Sequence, residues 1–266
     1  MKSKLRKHLE LIIPYSRLSF KKLTEYKFNI ITNTLGYLAL IITWILFWNF
    51  IFGSMPEVAE WKYPMLLMLV GFVYLSDALW QMLWYTVAFY HDISKGNLDL
   101  YLVRPIAPLY ALVMKEFQFF SILPGLGGIG IIVYTLLNYY SLNIFRLTLA
   151  LILCLVGVVL VHLLYMSVNS LSFWFGKTTA FRTIFRSFFL LRNYPLDIFS
   201  IWVRAGLTFI LPFYFTGTAQ VKLLLSSNTW EIATILFYAL IALAIWLSIF
   251  LIIWNRGLKR YESSGS

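Results

Sequence analysis

Charged side chains are scarce in this sequence. Asp, Glu, Lys and Arg make up 12% of its 266 residues, whereas hydrophobic residues make up 61%. A soluble domain typically carries about 25% charged and about 45–50% apolar residues. The deficit of charge therefore excludes an ordinary soluble domain and indicates a polytopic membrane protein.

Cysteine and nucleotide-binding loops are also lacking. The single cysteine, Cys154, excludes an intrachain disulfide and a cysteine metal cluster. Gly176, Lys177 and Thr178 match the end of the phosphate-binding pattern G-x-x-x-x-G-K-[ST], but Leu171 stands where its first glycine is required. We interpret Gly176 instead as the end of a helix.

A glycine-rich run at 125–130, GLGGIG, matches the dinucleotide fingerprint G-x-G-x-x-G. That fingerprint requires a preceding strand and an acidic residue about 20 positions later, whereas this run lies in a long uncharged segment. We therefore expect close helix packing or a local kink at these glycines.

Long apolar runs with few or no charges dominate what remains. A hydrocarbon core about 30 Å thick requires about 20 apolar residues in a helix. We predict an all-α fold with six transmembrane helices, of which the fifth contains Arg204 and is broken by Pro212. The runs are 28–56, 63–90, 117–145, 147–176, about 195–217, and 232–255.

Lys and Arg are distributed unevenly outside these runs. Eighteen lie before the first span, between spans two and three, between spans four and five, or in the tail, whereas the other loops carry only Lys62, Arg146 and Lys222. The positive-inside rule then predicts a multi-pass protein of the plasma membrane with both termini cytoplasmic. The net charge of +11 reflects this topology and anionic headgroups, so we expect membrane lipids and no nucleic acid as partners.

The chain divides into three parts. Residues 1–27 form a basic segment in which apolar residues recur near helical spacing, which indicates an interfacial helix kinked near Pro14 or a disordered basic arm. Residues 28–255 form the six-helix transmembrane domain, with a polar loop at 91–112, and residues 256–266 form a cytoplasmic tail.

Three of the ionisable residues inside the predicted spans are candidate site residues. Asp77 lies near the middle of span two, and Arg204 lies in span five close enough to its cytoplasmic end to snorkel. His162 lies in span four. Since an intramembrane charge is costly and usually faces protein or water, each residue either is structural, with a hydrogen-bonding partner, or lines a translocation path.

The loop between spans two and three carries the most specific motif. Residues 96–109, GNLDLYLVRPIAPL, look like the G-x-L-D-x-x-L-x-R-P-x-x-P-L loop of ABC-2-type transporter permeases, in a branch described as uncharacterised transport system permeases. The segments at 193–196 (NYPL) and 211–213 (LPF) and the tail at 257–266 are similar to the same branch. The resemblance covers essentially the whole chain.

The resemblance implies a permease subunit of an ATP-binding cassette exporter. The permease would pair with a second, identical or homologous permease, and each half would dock on a separate ATPase subunit that holds ATP and Mg²⁺. The chain itself would bind no cofactor or metal and catalyse no reaction. The alternative is a membrane-embedded transferase acting on a lipid-linked substrate, for which His91 and Asp92 would be the only candidate pair.

Two short elements are also implied by the resemblance. One is a cytoplasmic coupling helix between spans two and three, for which Asn97 is the expected N-cap, with Leu98, Tyr101 and Leu102 on one side and Pro105 as the stop. The other is a re-entrant turn at the outer surface before span six, from Phe213 to Leu225. The expected ATPase-coupling residues are Gly96, Asn97, Leu98, Asp99, Tyr101, Leu102, Arg104 and Pro105.

Overall fold

The computed structural model describes residues 27–82, 89–103, 107–114, 118 and 121–261. Within them the regular secondary structure is helical, apart from one isolated β-bridge between Val58 and Trp61, and turns or irregular segments connect the helices. The α-helices, in chain order, are α1 (Lys27–Ser54), α2 (Tyr63–Met82), α3 (Tyr90–Ser94), α4 (Asp99–Leu102), α5 (Pro108–Met114), α6 (Ile122–Tyr139), α7 (Ile144–Ser170), α8 (Ser172–Phe175), α9 (Thr179–Phe188), α10 (Ile201–Ala205), α11 (Thr218–Leu225) and α12 (Thr229–Arg260). The described residues also form 3₁₀ segments at Phe189–Asn193, Leu196–Ile198 and Phe213–Thr216 and a π-helical turn at Gly206–Ile210.

Five of the described helices are long and apolar enough to cross a membrane. They are α1, α2, α6, α7 and α12, and they match predicted spans one to four and six. The prediction of an all-α polytopic membrane protein is therefore confirmed. The predicted interfacial segment, residues 1–27, lies outside the described residues except for its last residue, Lys27, which begins α1.

Helix α2 forms the centre of the bundle. In the apolar 18-residue stretch of α2, 72% of the chain is buried inside the protein. The corresponding share for α1 is 11%, so α1 lies at the periphery. α2 packs most extensively on α6, and this contact uses the glycine-rich run. A Cβ at Gly128 would lie 2.6 Å from the Gly71 carbonyl oxygen, and one at Gly125 would lie 2.8 Å from the Ala78 Cβ. The glycines thus permit close helix packing, as the sequence predicted, and no nucleotide loop forms there.

The two ends of the bundle can be told apart by contacts. The Gln118 backbone N–H donates to the Met82 carbonyl (3.0 Å), and the Tyr261 hydroxyl donates to the Gly96 carbonyl (2.9 Å). The start of α6 and the end of α12 therefore lie at the same end as residues 89–103, which we call the loop end. The opposite end carries Trp61 and is called the Trp61 end.

The fifth passage through the bundle differs from the prediction. Thr179 donates to the Tyr90 hydroxyl at the loop end (3.3 Å), and Asp197 accepts from the Trp61 indole at the other end (2.9 Å). Residues 179–197 therefore run from the loop end to the Trp61 end, antiparallel to α2, so the predicted fifth span at 195–217 was wrong. Arg182, Arg186 and Arg192, assigned to a loop from the sequence, belong to this passage.

Residues 201–225 turn back at the Trp61 end instead of crossing. The descending arm, α10 with its π-helical turn, reaches the middle of α12, where the Trp246 indole donates to the Phe209 carbonyl (2.9 Å). The segment Phe213–Thr216 forms the deepest point, and the Ser76 hydroxyl donates to the Thr216 carbonyl (3.0 Å). Helix α11 then returns, so a re-entrant segment before the last span is present as expected.

Glycine makes the tip of this re-entrant hairpin possible. A Cβ on Gly157 of α7 would collide with the Phe215 carbonyl oxygen, and a Cβ on Gly217 would lie 2.7 Å from both Leu69 and Val73. Only a residue without a side chain lets the hairpin backbone pack so closely on α7 and α2. A short, irregular backbone at membrane depth is tolerated here because it is buried in protein.

Candidate functional site

The loop between α2 and α6 is anchored on its inner face. Leu98 is fully buried, and Tyr101 is 8% exposed. The buried Asp92 carboxylate accepts from the Tyr101 hydroxyl (3.3 Å) and from the Asn97 amide (3.5 Å). Asp92 thus ties α3 to α4, a role for this carboxylate that the sequence did not suggest.

Two details of the predicted coupling helix were wrong. Asn97 does not cap α4, because the N-cap position is Leu98 and the Asn97 side chain turns back to Asp92. Leu102 is 44% exposed and therefore does not share the buried side of Leu98 and Tyr101.

The outer face of the same loop is apolar and exposed. Leu100 is 58% exposed, Leu102 44% and Val103 82%. Asp99, which is partly buried, begins the helix beside this surface. The predicted coupling residues Arg104 and Pro105 lie outside the described residues. We call Leu100, Leu102 and Val103 the apolar patch.

The end of α12 holds the loop from the other side. The Tyr261 ring contacts the Phe173 ring of α8 (6.1 Å between centroids), and its hydroxyl reaches the Gly96 carbonyl. Burial, and then the negative charge of Asp99, raise the pKa of the Tyr261 phenol, so it remains a neutral donor. Tyr261 therefore connects the loop to the end of α12, and the same residue contacts α8.

A cavity of about 690 Å³ lies between α1, α2, α7 and the fifth passage. Asp77 lines it and forms an ion pair with Arg192, whose Nη1 lies 2.6 Å from the carboxylate oxygen. The guanidinium also lies over the Phe189 ring, 4.0 Å from its centroid. Asp77 therefore has a cationic partner, and it also lines this cavity.

Arg204 lies elsewhere than predicted. It is at the Trp61 end, because the chain has already crossed the bundle before residue 197. There the Asp197 carboxylate binds Arg204 (3.0 Å) and Lys222 (2.7 Å) and also accepts from the Trp61 indole. Arg204 is on the descending arm of the hairpin and Lys222 on the returning arm, so Asp197 joins both arms to the start of α2. A second cavity, of about 490 Å³, borders this cluster.

His162 is buried in α7, with its ring 6.4 Å from that of Trp80. It is absent from the described lining of the large cavity, whereas Trp80 is part of that lining. His162 therefore packs behind the cavity wall. Gly176 ends α8 with a φ of 66°, a conformation that favours glycine, as expected for a helix stop.

Sequence reasoning missed two residues that organise these sites, Arg192 and Asp197, and it considered Asp92 only as half of a candidate catalytic pair. The sequence offered one signal for a missed residue: Asp77 requires a cationic partner, since a buried carboxylate in a membrane is normally paired. It could not select Arg192, which lies 115 positions away and was assigned to a loop. Among the described residues, no group of three or more His, Cys, Asp or Glu side chains could hold a metal ion.

Comparison with known proteins identifies the architecture that carries these sites. The model of the ABC-2 family transporter proteins matches residues 38–265, which is most of the chain. A search of curated proteins finds no match.

Proposed function

The chain belongs to the ABC-2 transporter family, whose members are membrane permeases of ABC-type transport, and we propose that it is the permease subunit of an exporter powered by a separate ATPase. Membership of this family implies association with an ABC ATPase in general. Its members are the transmembrane component of the transporter and are generally not the catalytic one. The finer assignment is supported by the apolar patch on an anchored loop.

The apolar patch is the observation that carries the proposal. Leu100 and Val103 expose most of their surface at the loop end, although the residues beside them are fixed against α3 and α12. Apolar side chains held in place at a surface mark sites of protein contact. A groove on the ATPase would receive the patch, and the neighbouring charges Asp99 and Arg104 would fix its orientation.

The contacts of the loop suggest how a displacement would spread. Movement of α4 would pull α3 through Asp92 and α12 through Tyr261, because both residues contact the loop directly. The Arg192–Asp77 pair would carry movement of α2 into the fifth passage. ATP-driven closure of the ATPase subunits would then rock spans one, two and five against a second permease and alternate access.

The remaining assignments follow the same proposal. ATP and Mg²⁺ would be held by the ATPase, while this chain would bind no cofactor and hydrolyse nothing by itself. The active form would contain two permease halves, identical or homologous, with two ATPase subunits, because a single six-passage unit has too few helices to enclose a wide path. The loop end, with both termini, would face the cytoplasm of a cell bounded by this plasma membrane.

The patch can be tested directly by substitution. Leu100→Asp combined with Val103→Asp should abolish co-purification of the ATPase and reduce transport-linked ATP hydrolysis by about tenfold or more, because two charges would have to be buried in an apolar groove. Both side chains are exposed, so insertion and yield of the permease should not change. Asn255→Asp is the matched control: it adds a charge at an exposed position near the end of α12, outside the patch.

The result can also contradict the proposal. Normal complex formation and hydrolysis in the double variant would place ATPase docking elsewhere, with residues 1–27 the next segment to test. ATP hydrolysis by the permease freed of all co-purifying ATPase would overturn the division of labour between subunits.

A further inference from the structure

The large cavity is lined by two parallel stripes of side chains. Within each stripe, successive residues are four, three and four positions apart, which places them on one helical face. The first stripe, on α1, is Asn33, Tyr37, Leu40 and Trp44, and the second, on the fifth passage, is Thr179, Thr183, Arg186 and Leu190.

Both stripes change from polar to apolar in the same direction. At the loop end, the stripes present the amide of Asn33 and the hydroxyls of Thr179 and Thr183, and Gln81 and Gln118 add two further amides to the lining. Deeper in the bundle each stripe ends in an apolar side chain, Trp44 or Leu190, beside aromatic rings, the Asp77–Arg192 pair and Asn193. The two stripes are therefore amphipathic along their length.

The charge of the cavity is positive where the polarity changes. Among the described lining residues, only Asp77, Arg186 and Arg192 carry formal charge. Asp77 and Arg192 neutralise one another at 2.6 Å, which leaves Arg186 uncompensated. The Arg186 side chain is exposed, so a ligand can reach it.

On these grounds, and on the basis of the proposed function, we propose that the cavity binds an anionic amphiphile, with its carboxylate or phosphate at Arg186 and its apolar part between Trp44 and Leu190. A guanidinium forms strong, charge-assisted hydrogen bonds with both kinds of anionic group. The volume of about 690 Å³ lies in the range of cavities that enclose small molecules. A cationic amphiphile is disfavoured because Asp77 is already paired.

The test compares matched single-chain probes. The complete complex, in discs of phosphatidylcholine, is titrated with radiolabelled dodecyl phosphate and with dodecyltrimethylammonium, and empty discs give the partition background. Dodecyl phosphate should bind about tenfold more tightly. Arg186→Gln should abolish this preference, whereas Arg256→Gln, which removes an exposed cation from the same end of the bundle, should leave it unchanged.

A second variant tests the apolar part independently. Leu190 lines the cavity but is 63% exposed, so Leu190→Trp should be tolerated in the fold while narrowing the apolar part of the cavity, and it should weaken both probes alike. Equal affinity for the two probes, or equal effects of Arg186→Gln and Arg256→Gln, would overturn the proposal. Inorganic phosphate that displaced the probe as well as dodecyl phosphate does would overturn it too, by showing an anion site with no apolar requirement.

The source of the amphiphile is distinguished by one further arm. Competition from phosphatidylglycerol included in the discs would identify a membrane lipid, and lack of competition would identify a soluble amphiphile; both results support binding at Arg186. Because binding is measured without ATP, the outcome is independent of the Leu100 and Val103 experiment. Failure of ATPase coupling therefore cannot be confused with failure of the cavity proposal.

Discussion

The Asp77–Arg192 pair provides the most demanding test of the fold. The exposed fractions are 17% for Asp77 and 6% for Arg192, so removal of either partner would leave the other charge largely buried and unpaired. Breaking a buried ion pair by removing one member typically costs about 3–5 kcal/mol. Arg192 also lies over Phe189, a contact worth about 0.5–2 kcal/mol that survives loss of the carboxylate.

These magnitudes predict an ordered series. Asp77→Asn should lower the free energy of unfolding by about 3 kcal/mol, and Arg192→Met by closer to 5 kcal/mol, because it also removes the stacking on Phe189. The double variant leaves no isolated buried charge and should recover a coupling energy of about 2–3 kcal/mol relative to the sum of the single changes. The pair would then be confirmed as the link between α2 and the fifth passage.

The assay is reversible unfolding in mixed micelles with increasing dodecyl sulfate, followed by tryptophan fluorescence. Arg256→Met is the control, since this exposed cation at the end of α12 should change the free energy by less than about 0.5 kcal/mol. Strictly additive effects of the two changes, or a cost below about 1 kcal/mol for Asp77→Asn, would refute the pairing and with it the position of the fifth passage.

Two further predictions concern the re-entrant hairpin and the topology. Gly157→Ala should destabilise the protein by about 1–3 kcal/mol because the added methyl group collides with the hairpin backbone, whereas Gly130→Ala, which has nothing within 4 Å, should stabilise α6 slightly; the same unfolding assay separates them, and similar effects would contradict the close approach. In a Cys154→Ser background, Ser94→Cys should be labelled from the cytoplasmic side of sealed vesicles and Ser227→Cys from the outside, since both positions are exposed at opposite ends of the bundle. Labelling of both from the same side would contradict the six-passage topology.

The long helices were predictable because their signal is local. An uncharged run of 20 or more residues can satisfy its backbone hydrogen bonds in a membrane only as a helix, whatever its neighbours are. Spans one to four and span six were therefore located from composition alone. The glycines at 125–130 were also interpreted correctly, since no other chemistry fitted an uncharged run.

The fifth passage was not predictable because its signal is nonlocal. Its residues include Arg186 and Arg192, and a local rule assigns such cations to a loop. Arg192 is tolerated inside the bundle only because Asp77 meets it there, and Asp197 marks the far end only because Trp61 binds it. The apolar segment that followed was then mistaken for the crossing, although it folds back as a hairpin.

In the coupling loop, too, some features follow from local sequence and others from contacts between distant residues. The sequence identified 96–105 as a unit, but the orientation of each side chain depends on contacts with distant partners. Asn97 faces Asp92 rather than the helix it was expected to cap, and Gly96 is held by Tyr261, 165 positions further along the chain.

The sequence by itself thus determined the class of protein, five of its membrane-spanning helices and the loop that carries its family motif, because each depends on the free energy of short segments in lipid or water. Tertiary structure alone decided the fifth passage, the pairing of Asp77, the position of Arg204 and the cavity with its two amphipathic stripes. Each of these depends on two segments meeting across the bundle, and the cost of burying a charge is set by the partner that it meets there.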